Sequence, residues 1–286
     1  MNAFRHWWQH LPEKISPVIF EIGSFKLQYY GLMYLVAFGI SYALVLYRIR
    51  HEKQFGISAE QAESLTTAMI LGVILGGRAG YVLFYNFSYY LRHPLEIFLP
   101  FSFSGGITFT GISGMSYHGG LMGVILAAWI YARRNRLHFW EIADLYAPVV
   151  PLGYTFGRIG NFINGELFGR VTDAPFGMYF PLAPGPKPRH PSQLYEAFFE
   201  GLFLFAVLWM LRKHASPRGA MLGFYLMGYG TVRFFIEYFR EPDAHLGFVF
   251  LSFSTGQILC FLMILSGAAL YFYVWQKNRK QGACVS

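Results

Sequence analysis

Long apolar stretches, separated by short polar connections, run along most of the chain. A membrane-spanning helix needs about 20 mostly apolar residues, or fewer when it is buried in a bundle. Seven stretches meet that description, although Pro148 and Pro151 interrupt the fourth, and Gly and Ser residues precede the third. The pattern therefore predicts an all-α polytopic membrane protein with seven transmembrane helices at 29–47, 63–84, 118–132, 141–158, 196–211, 219–237 and 254–275.

Positively charged residues predict which way these helices face, because short connections rich in Lys and Arg stay in the cytoplasm. Every second connection carries three such residues, as does the C-terminal tail, and together they account for 12 of the 23 in the chain. The N-terminus is therefore predicted outside and the C-terminus inside, as an odd number of spans requires. The twelve residues are Arg48, Arg50, Lys53, Arg133, Arg134, Arg136, Arg212, Lys213, Arg218, Lys277, Arg279 and Lys280.

The opposite connections are longer, and two of them, 86–117 and 162–195, are long enough to form a small extracytoplasmic cap. The second contains a turn-rich run of prolines and a glycine between Pro181 and Pro188. Nothing in the sequence resembles a linker that would separate a soluble domain from the helices. We therefore expect a single integral membrane domain over residues 1–286.

Composition agrees with a membrane protein. Hydrophobic residues make up 55% of the chain and charged residues only 13%, whereas soluble domains carry about 25% charged residues. This balance excludes disordered and fibrous proteins, and it argues against a nucleic-acid partner although the net charge is +8. The short basic connections and the C-terminal tail account for 12 of the 23 positive charges, which is the distribution expected of a membrane protein.

Three arginines lie inside predicted spans that run from the inside to the outside: Arg78, Arg158 and Arg233. Each follows its inner boundary by about 15 residues, which is a rise of roughly 22 Å and places all three in the outer half of the membrane. An arginine at that depth is costly, and its planar fork fits phosphate oxygens. The arrangement predicts a phospholipid headgroup site. The alternative is local: each arginine reaches the nearby interface, or pairs with a carboxylate such as Glu237.

Other polar residues reach the same level by topology. Glycines around His118 would let a ligand approach it closely, and His is suited to moving a proton near neutral pH. The run from Arg189 to Glu196 ends an outer segment, where Ser192 caps the next helix or the run supports the site. No metal-binding, nucleotide-binding or serine-nucleophile motif is present, so neither metal nor cofactor is expected. The polar set is Tyr30, His118, Asn161, Asn164, Glu166, Tyr229, Glu237 and Arg240.

The segment 157–169, Gly-Arg-Ile-Gly-Asn-Phe-Ile-Asn-Gly-Glu-Leu-Phe-Gly, resembles the signature of bacterial prolipoprotein diacylglyceryl transferases. Further segments resemble the same family in the same order along the chain. No motif position departs from the pattern expected to carry function. These segments are 29–34, 76–80, 115–120, 190–196 and 233–243.

The resemblance implies a transferase of the bacterial inner membrane whose active site faces the periplasm. Such an enzyme moves the diacylglyceryl group of phosphatidylglycerol to the lipobox cysteine of a preprolipoprotein, forms a thioether and releases glycerol phosphate. Its partners are those two substrates and membrane lipids. In this interpretation His118, Arg158 and Arg233 are catalytic, with His118 taking the thiol proton. The alternative for His118 is a structural role beside the headgroup. The substrate-binding residues are Tyr30, Arg158, Asn161, Glu166, Gly169, Tyr229, Glu237 and Arg240.

Two other classes of function are compatible with the pattern. A lipid or anion transporter would use the same arginines without chemistry, with helices broken near Pro148 and Pro151. Against it, the polar residues lie on one side of the membrane and not at the midplane. A membrane scaffold is the third class, and three costly arginines disfavour it.

Overall fold

The computed structural model describes residues 3–23, 25–99, 101–102, 108–109, 114–214, 217–241, 248–250 and 253–283. Helices dominate, and the strands pair as three short antiparallel hairpins, β1–β2, β3–β4 and β5–β6. The strands are β1 (Val18–Ile22), β2 (Phe25–Gln28), β3 (Phe101–Ser102), β4 (Thr108–Phe109), β5 (Phe248–Phe250) and β6 (Phe253–Ser254). The α-helices are α1 (Ala3–Gln9), α2 (Leu11–Lys14), α3 (Tyr29–His51), α4 (Ala59–Phe84), α5 (Phe87–Arg92), α6 (Tyr117–Arg134), α7 (Phe139–Tyr146), α8 (Val150–Ile163), α9 (Ser192–Tyr195), α10 (Leu204–Leu211), α11 (Ala220–Ile236) and α12 (Thr255–Ala283).

Two compact units make up the chain. The first combines Met1–Val45 with Ala143–Ser286, and the second is Leu46–Ile142. In the first unit, α8 packs against the segment that follows α9, and α11 packs against α12. In the second unit, α4 packs against α6.

The membrane character of the chain is clear from its helices. Among the described residues, four helices are long and apolar enough to cross a membrane, and Ala220–Ile236 is a shorter apolar helix. The long ones are Tyr29–His51, Ala59–Phe84, Ser192–Leu211 and Thr255–Lys280. The protein is therefore a mostly helical membrane protein, as the sequence predicted.

The fourth predicted span is not one helix. Helix α7 ends at Tyr146, a turn follows at residues 147–149, and α8 begins at Val150. Pro148 lies in the turn and Pro151 occupies the first turn of α8, where a missing N–H costs nothing. The two prolines therefore divide the stretch, and α8 alone carries Arg158.

A π-helix occupies Glu196–Phe203, between α9 and α10. The π-helix approaches α8 closely at Gly201, because this residue has no Cβ and lies against the Thr155 side chain. Thr155 Oγ1 donates to the carbonyl of Ala197 at 3.2 Å. π-Turns are often found at functional sites, and this one carries two glutamates, Glu196 and Glu200.

Glycines form the contact between α4 and α6 in the second unit. A Cβ on Gly76 would lie 2.8 Å from Gly123 Cα, and one on Gly80 would lie 2.8 Å from Gly119 Cα. The carbonyl of Gly72 occupies the space where a Cβ on Gly123 would be. Small residues let two backbones approach closely in a membrane, so this glycine seam, Gly72, Gly76, Gly80, Gly119 and Gly123, sets the distance between the helices.

The predicted outer segment 162–195 folds within the first unit. Phe162, Met178 and Phe180 form a small buried core, and Trp8 packs against it. The indole of Trp8 donates to the carbonyl of Phe176 at 3.0 Å. The other predicted outer segment, 86–117, is described at 86–99, 101–102, 108–109 and 114–117, and its remaining residues lie outside the described part of the chain.

Candidate functional site

Three arginines and three glutamates meet in the first unit. Arg158 lies on α8 and Arg233 near the end of α11. Glu196 and Glu200 lie on the π-helix, and Glu237 and Arg240 follow α11. We call this group the arginine–glutamate cluster. Its members are Arg158, Arg233, Arg240, Glu196, Glu200 and Glu237.

Glu196 is the centre of the arginine–glutamate cluster. Its side chain is 0% exposed, and its Oε2 lies 2.8 Å from Arg158 Nε and 3.3 Å from Arg233 Nη1. Its Oε1 accepts a hydrogen bond from Arg240 Nη1 at 3.1 Å. One carboxylate thus contacts guanidiniums from three parts of the chain. Charge-assisted contacts of this kind compensate for the cost of burying the ions.

Glu200 lies one turn further along the π-helix and is also 0% exposed. Its Oε2 accepts a hydrogen bond from the Tyr154 hydroxyl at 2.6 Å, and its Oε1 accepts one from Arg233 Nη1 at 3.4 Å. Tyr154 in turn accepts from Arg158 Nε at 2.7 Å, and its ring lies beneath that guanidinium, 4.7 Å from Cζ. Tyr154 therefore joins Glu200 to Arg158.

Arg233 and Glu237 form the ion pair that the sequence left as a local alternative. The distance from Arg233 Nη2 to Glu237 Oε2 is 3.0 Å. The other oxygen of Glu237 accepts from Ser254 Oγ at 3.2 Å. Because Arg233 also contacts Glu196 and Glu200, the pair belongs to the cluster and is not an isolated contact on one helix.

Asn161 and Glu166 extend the site from Arg158. Asn161 Oδ1 accepts from Arg158 Nη1 at 3.2 Å, and Asn161 Nδ2 donates to Glu166 Oε1 at 2.9 Å. Asn164 donates to the same carboxylate oxygen at 3.3 Å. The end of α8 thus places Arg158, Asn161 and Glu166 in one chain of hydrogen bonds.

Gly169 and Arg240 meet through their main chains, which pair as an isolated β-bridge. The Gly169 N–H donates to the carbonyl of His190 at 2.8 Å. A Cβ on Gly169 would clash with the carbonyl of Phe239 and with His190. Gly169 therefore lets these segments approach each other, and this contact places Arg240 beside Glu196.

Two tyrosines of the predicted site lie around this network. The Tyr229 ring meets the Tyr154 ring edge to face, with centroids 5.9 Å apart. The Tyr30 ring packs against Gly160, where a Cβ would lie 3.1 Å from Cδ2, and its hydroxyl is 3.1 Å from that of Tyr34.

The run from Arg189 to Glu196 supports the site and does not cap a helix through Ser192. Ser192 Oγ donates to the carbonyl of Leu167 at 3.0 Å, and Gln193 Nε2 donates to the carbonyl of Glu166 at 2.6 Å. The residue before α9 is Pro191, whose side chain makes no capping hydrogen bond. In the same run, partial burial lowers the pKa of His190 from its ordinary value of 6.5, which favours a neutral imidazole.

His118 and Arg78 belong to the second unit. His118 is an exposed residue at the second position of α6. Arg78 donates to three main-chain carbonyls: Ile97 at 2.9 Å, Glu96 at 2.5 Å and Gly114 at 3.4 Å. Its guanidinium also stacks over the Tyr90 ring at 4.8 Å. Arg78 thus connects α4 by hydrogen bonds to the segment that follows α5 and to the segment that precedes α6.

Sequence reasoning missed Tyr154 and Glu200, and it left the role of Glu196 open. A signal for the glutamates was present, since two acidic residues four positions apart inside an apolar span are as costly as an arginine. Tyr154 gave no comparable signal among 20 tyrosines.

Comparison with known proteins decides the family. The model of the prolipoprotein diacylglyceryl transferase family matches residues 17–273, a range that contains every predicted site residue. The chain belongs to the prolipoprotein diacylglyceryl transferase family. Curated relatives named phosphatidylglycerol–prolipoprotein diacylglyceryl transferase match over nearly their whole length.

The relative from Chlorobaculum tepidum is 55% identical over 286 residues, which is 100% of this chain and 98% of the relative. The relative from Oleidesulfovibrio alaskensis is 48% identical over 94% of this chain and 96% of its own. The relative from Francisella tularensis subsp. novicida is 46% identical over 93% of this chain and 96% of its own. The matches to these relatives extend over both units of this chain.

Proposed function

We propose that this chain transfers the diacylglyceryl group of phosphatidylglycerol to the lipobox cysteine thiol of preprolipoproteins, forming a thioether and releasing glycerol phosphate. Membership of the transferase family supports this activity. The observation that carries the site assignment is the pair Arg158 and Arg233, which are mostly buried and converge on Glu196.

The two arginines hold the phosphate of the lipid. Their guanidiniums come from α8 and α11, and each keeps N–H donors beyond those that contact Glu196. As the bond between the glyceryl carbon and the phosphate oxygen breaks, negative charge grows on the phosphate. Donors that are already in place stabilise that charge most strongly.

The remaining residues have supporting roles. His118 takes the proton of the cysteine, because the thiolate is the nucleophile. Asn161 and Glu166 orient Arg158 and the headgroup, as the hydrogen bonds from Arg158 through Asn161 to Glu166 suggest. Glu237 and Arg240 orient the arginines through Arg233 and Glu196. Tyr30, Gly169 and Tyr229 shape the surrounding site.

We further propose one integral membrane domain of seven spans in the bacterial inner membrane. The N-terminus faces the periplasm and the C-terminus the cytoplasm, in keeping with the basic connections. In this orientation Arg158 and Arg233 lie toward the outer leaflet, where segment 162–195 covers their side of the membrane. Cysteine labelling of single-cysteine variants from either side of sealed membranes tests the topology.

The activity is tested with the purified protein in detergent, phosphatidylglycerol labelled in its diacylglyceryl part, and a lipobox peptide. We expect label on the peptide that survives removal of free lipid. A peptide with serine in place of the cysteine should receive none. Binding of the lipid without cysteine-dependent labelling would contradict the proposed transferase and indicate a lipid carrier.

A further inference from the structure

The arginine–glutamate cluster is formally neutral before any ligand binds, because three carboxylates face three guanidiniums. Arg158 and Arg233, which would hold the phosphate, are already in ion pairs. A phosphodiester adds one negative charge to this neutral group. Because the side chains of Arg158 and Arg233 are mostly buried, an extra uncompensated charge beside them is costly. Binding of the anion therefore requires that one carboxylate lose its charge or leave its arginine.

Glu200 is the carboxylate with the weakest cationic compensation. Among the described residues, Glu200 forms an ion pair with Arg233 alone, at the long distance of 3.4 Å. Glu196 is close to three guanidiniums, and Glu237 combines a 3.0 Å ion pair with a hydrogen bond from Ser254. Glu200 is also completely buried, so it cannot turn to water. Of the three carboxylates, Glu200 loses the least when it becomes neutral.

Tyr154 allows this change without breaking the hydrogen-bond network. Its hydroxyl now donates to Glu200 at 2.6 Å, and Glu196 Oε2 is a second acceptor 3.2 Å away. A protonated Glu200 can donate to the Tyr154 oxygen, and the tyrosine hydrogen can turn to Glu196. Every member then keeps a partner, and Arg233 Nη1 is released from Glu200.

We propose that Glu200 takes up one proton when the phosphate group of a phospholipid headgroup binds to Arg158 and Arg233, and releases it when the anion leaves. The proton comes from water, no covalent bond of the lipid changes in this step, and the occupied cluster stays neutral. Glu200 is a positioning residue, since it acts by holding or freeing Arg233. The choice of ligand rests on the proposed function.

The charged and titratable groups around Glu200 come from each helix packed against it. They are Tyr154 and Arg158 from α8, Glu196 from the π-helix, Arg233 and Tyr229 from α11, and Cys260 from α12. Among these described residues the other carboxylate is Glu196, which contacts three guanidiniums.

Calorimetry of the full-length protein in detergent tests the proposal. Short-chain phosphatidylglycerol is titrated without an acceptor peptide, in buffers that differ in their enthalpy of ionisation. We expect an observed enthalpy that depends on the buffer and corresponds to uptake of about one proton, and an affinity that falls by up to about tenfold per pH unit at alkaline pH. A buffer-independent enthalpy for the unmodified protein would overturn the proposal.

Two isosteric variants assign the proton. Glu200→Gln keeps a hydrogen-bonding side chain and should bind the lipid with no proton uptake and a flat pH dependence. Glu21→Gln removes a carboxylate that is half exposed and pairs with Lys26, and it should behave like the unmodified protein. Proton uptake that persists in Glu200→Gln would overturn the assignment.

The cysteine-dependent transfer assay on the same preparation separates the two proposals. Transfer without proton uptake on lipid binding leaves the function intact and removes the role of Glu200. Proton uptake without transfer supports the role of Glu200 in anion binding and contradicts the proposed transferase function.

Discussion

Arg158 and Arg78 occupy the same Gly-Arg-x-Gly motif on apolar helices, but the two arginines are bound by different chemical groups. Arg158 meets the carboxylate of Glu196 and the hydroxyl of Tyr154. Arg78 donates to three carbonyls of the main chain. A carbonyl is fixed by the fold and cannot change its charge, whereas a carboxylate can be protonated or can give up its arginine to a phosphate. The motif places an arginine in a helix, and its partners decide whether that arginine can exchange ligands.

The same contrast extends to the two units. The second unit brings α4 and α6 together by main-chain contact along its glycine seam. The first unit brings α8, the π-helix and α11 together around ion pairs. Main-chain contact along the glycine seam holds α4 and α6 at a fixed distance. The buried ion pairs of the first unit instead form a site whose charge can change when a ligand binds. Four substitutions probe this difference.

Substitution of Arg158 by Lys should have the largest effect. Lys keeps the positive charge but loses the planar fork that meets Tyr154, Asn161 and Glu196 together. We expect kcat/KM for transfer to fall by about 10²- to 10³-fold, as for loss of one donor to a developing oxyanion. The assay is cysteine-dependent labelling at equal amounts of folded protein. Near-normal turnover would refute a bidentate role for Arg158.

Substitution of Glu196 by Gln should affect stability as well as transfer. It leaves three buried guanidiniums around a neutral side chain, which costs on the order of 3–5 kcal/mol for a broken buried pair. The measurement is chemical unfolding in detergent. As a control, Glu21→Gln removes a half-exposed partner of Lys26 and should change the free energy of unfolding by at most about 1 kcal/mol. Equal effects of the two variants would show that burial of the cluster is energetically unimportant.

Substitution of Gly123 by Ala tests the glycine seam. The added Cβ would overlap the carbonyl of Gly72 and lie 3.0 Å from Gly76 Cα, so α4 and α6 must separate. Overpacking of this kind costs about 1–3 kcal/mol. Gly120→Ala is a matched control on the same helix, because its Cβ would have an ordinary 3.5 Å contact with the carbonyl of Val73. If both variants unfold at the same temperature, the seam does not set the helix distance.

Substitution of Arg78 by Lys should have the smallest effect and is the most direct test of the comparison. One ammonium cannot reproduce three directed hydrogen bonds, so we expect a loss of stability of about 1–2 kcal/mol. The kcat/KM of the protein that remains folded should change by less than about threefold, well short of the effect expected at an oxyanion donor. Thermal unfolding and the transfer assay are measured on the same sample. Lost transfer at an unchanged unfolding temperature would place Arg78 in the lipid site.

The sequence predicted a site around the charged residues of apolar spans, because a membrane makes buried charge rare. Arg158 and Arg233 were expected there from their positions in apolar spans, and Asn161 and Glu166 because they follow Arg158. Arg240 was expected from its spacing after Arg233 and Glu237, on the condition that the helix continues. Helix α11 instead ends at Ile236, so Arg240 reaches Glu196 from outside the helix. The helix boundaries were also close, since α4 ends at Phe84 as the hydrophobic pattern predicted.

The partners of these residues could not be predicted in the same way. Glu196 and Arg240 are 44 positions apart, and Arg78 and Gly114 are 36 apart. Their contacts therefore depend on the tertiary path of the connecting segments, which the sequence pattern does not reveal. Hydrophobic periodicity could not reveal the π-helix either, because over eight residues the apolar pattern does not distinguish a π-helix from an α-helix. The motif shared by Arg78 and Arg158 gave no indication that their partners differ.

The π-helix also makes the site sensitive to the length of the chain. Each residue of a helix rotates the chain about the helix axis, so deletion of one residue between Glu196 and Glu200 would rotate one carboxylate away from the arginines. The same deletion would move Gly201 from Thr155 and place a side chain there instead. Natural variation in this family should therefore keep the number of residues in this segment constant, even where the apolar side chains that face the lipid are exchanged freely.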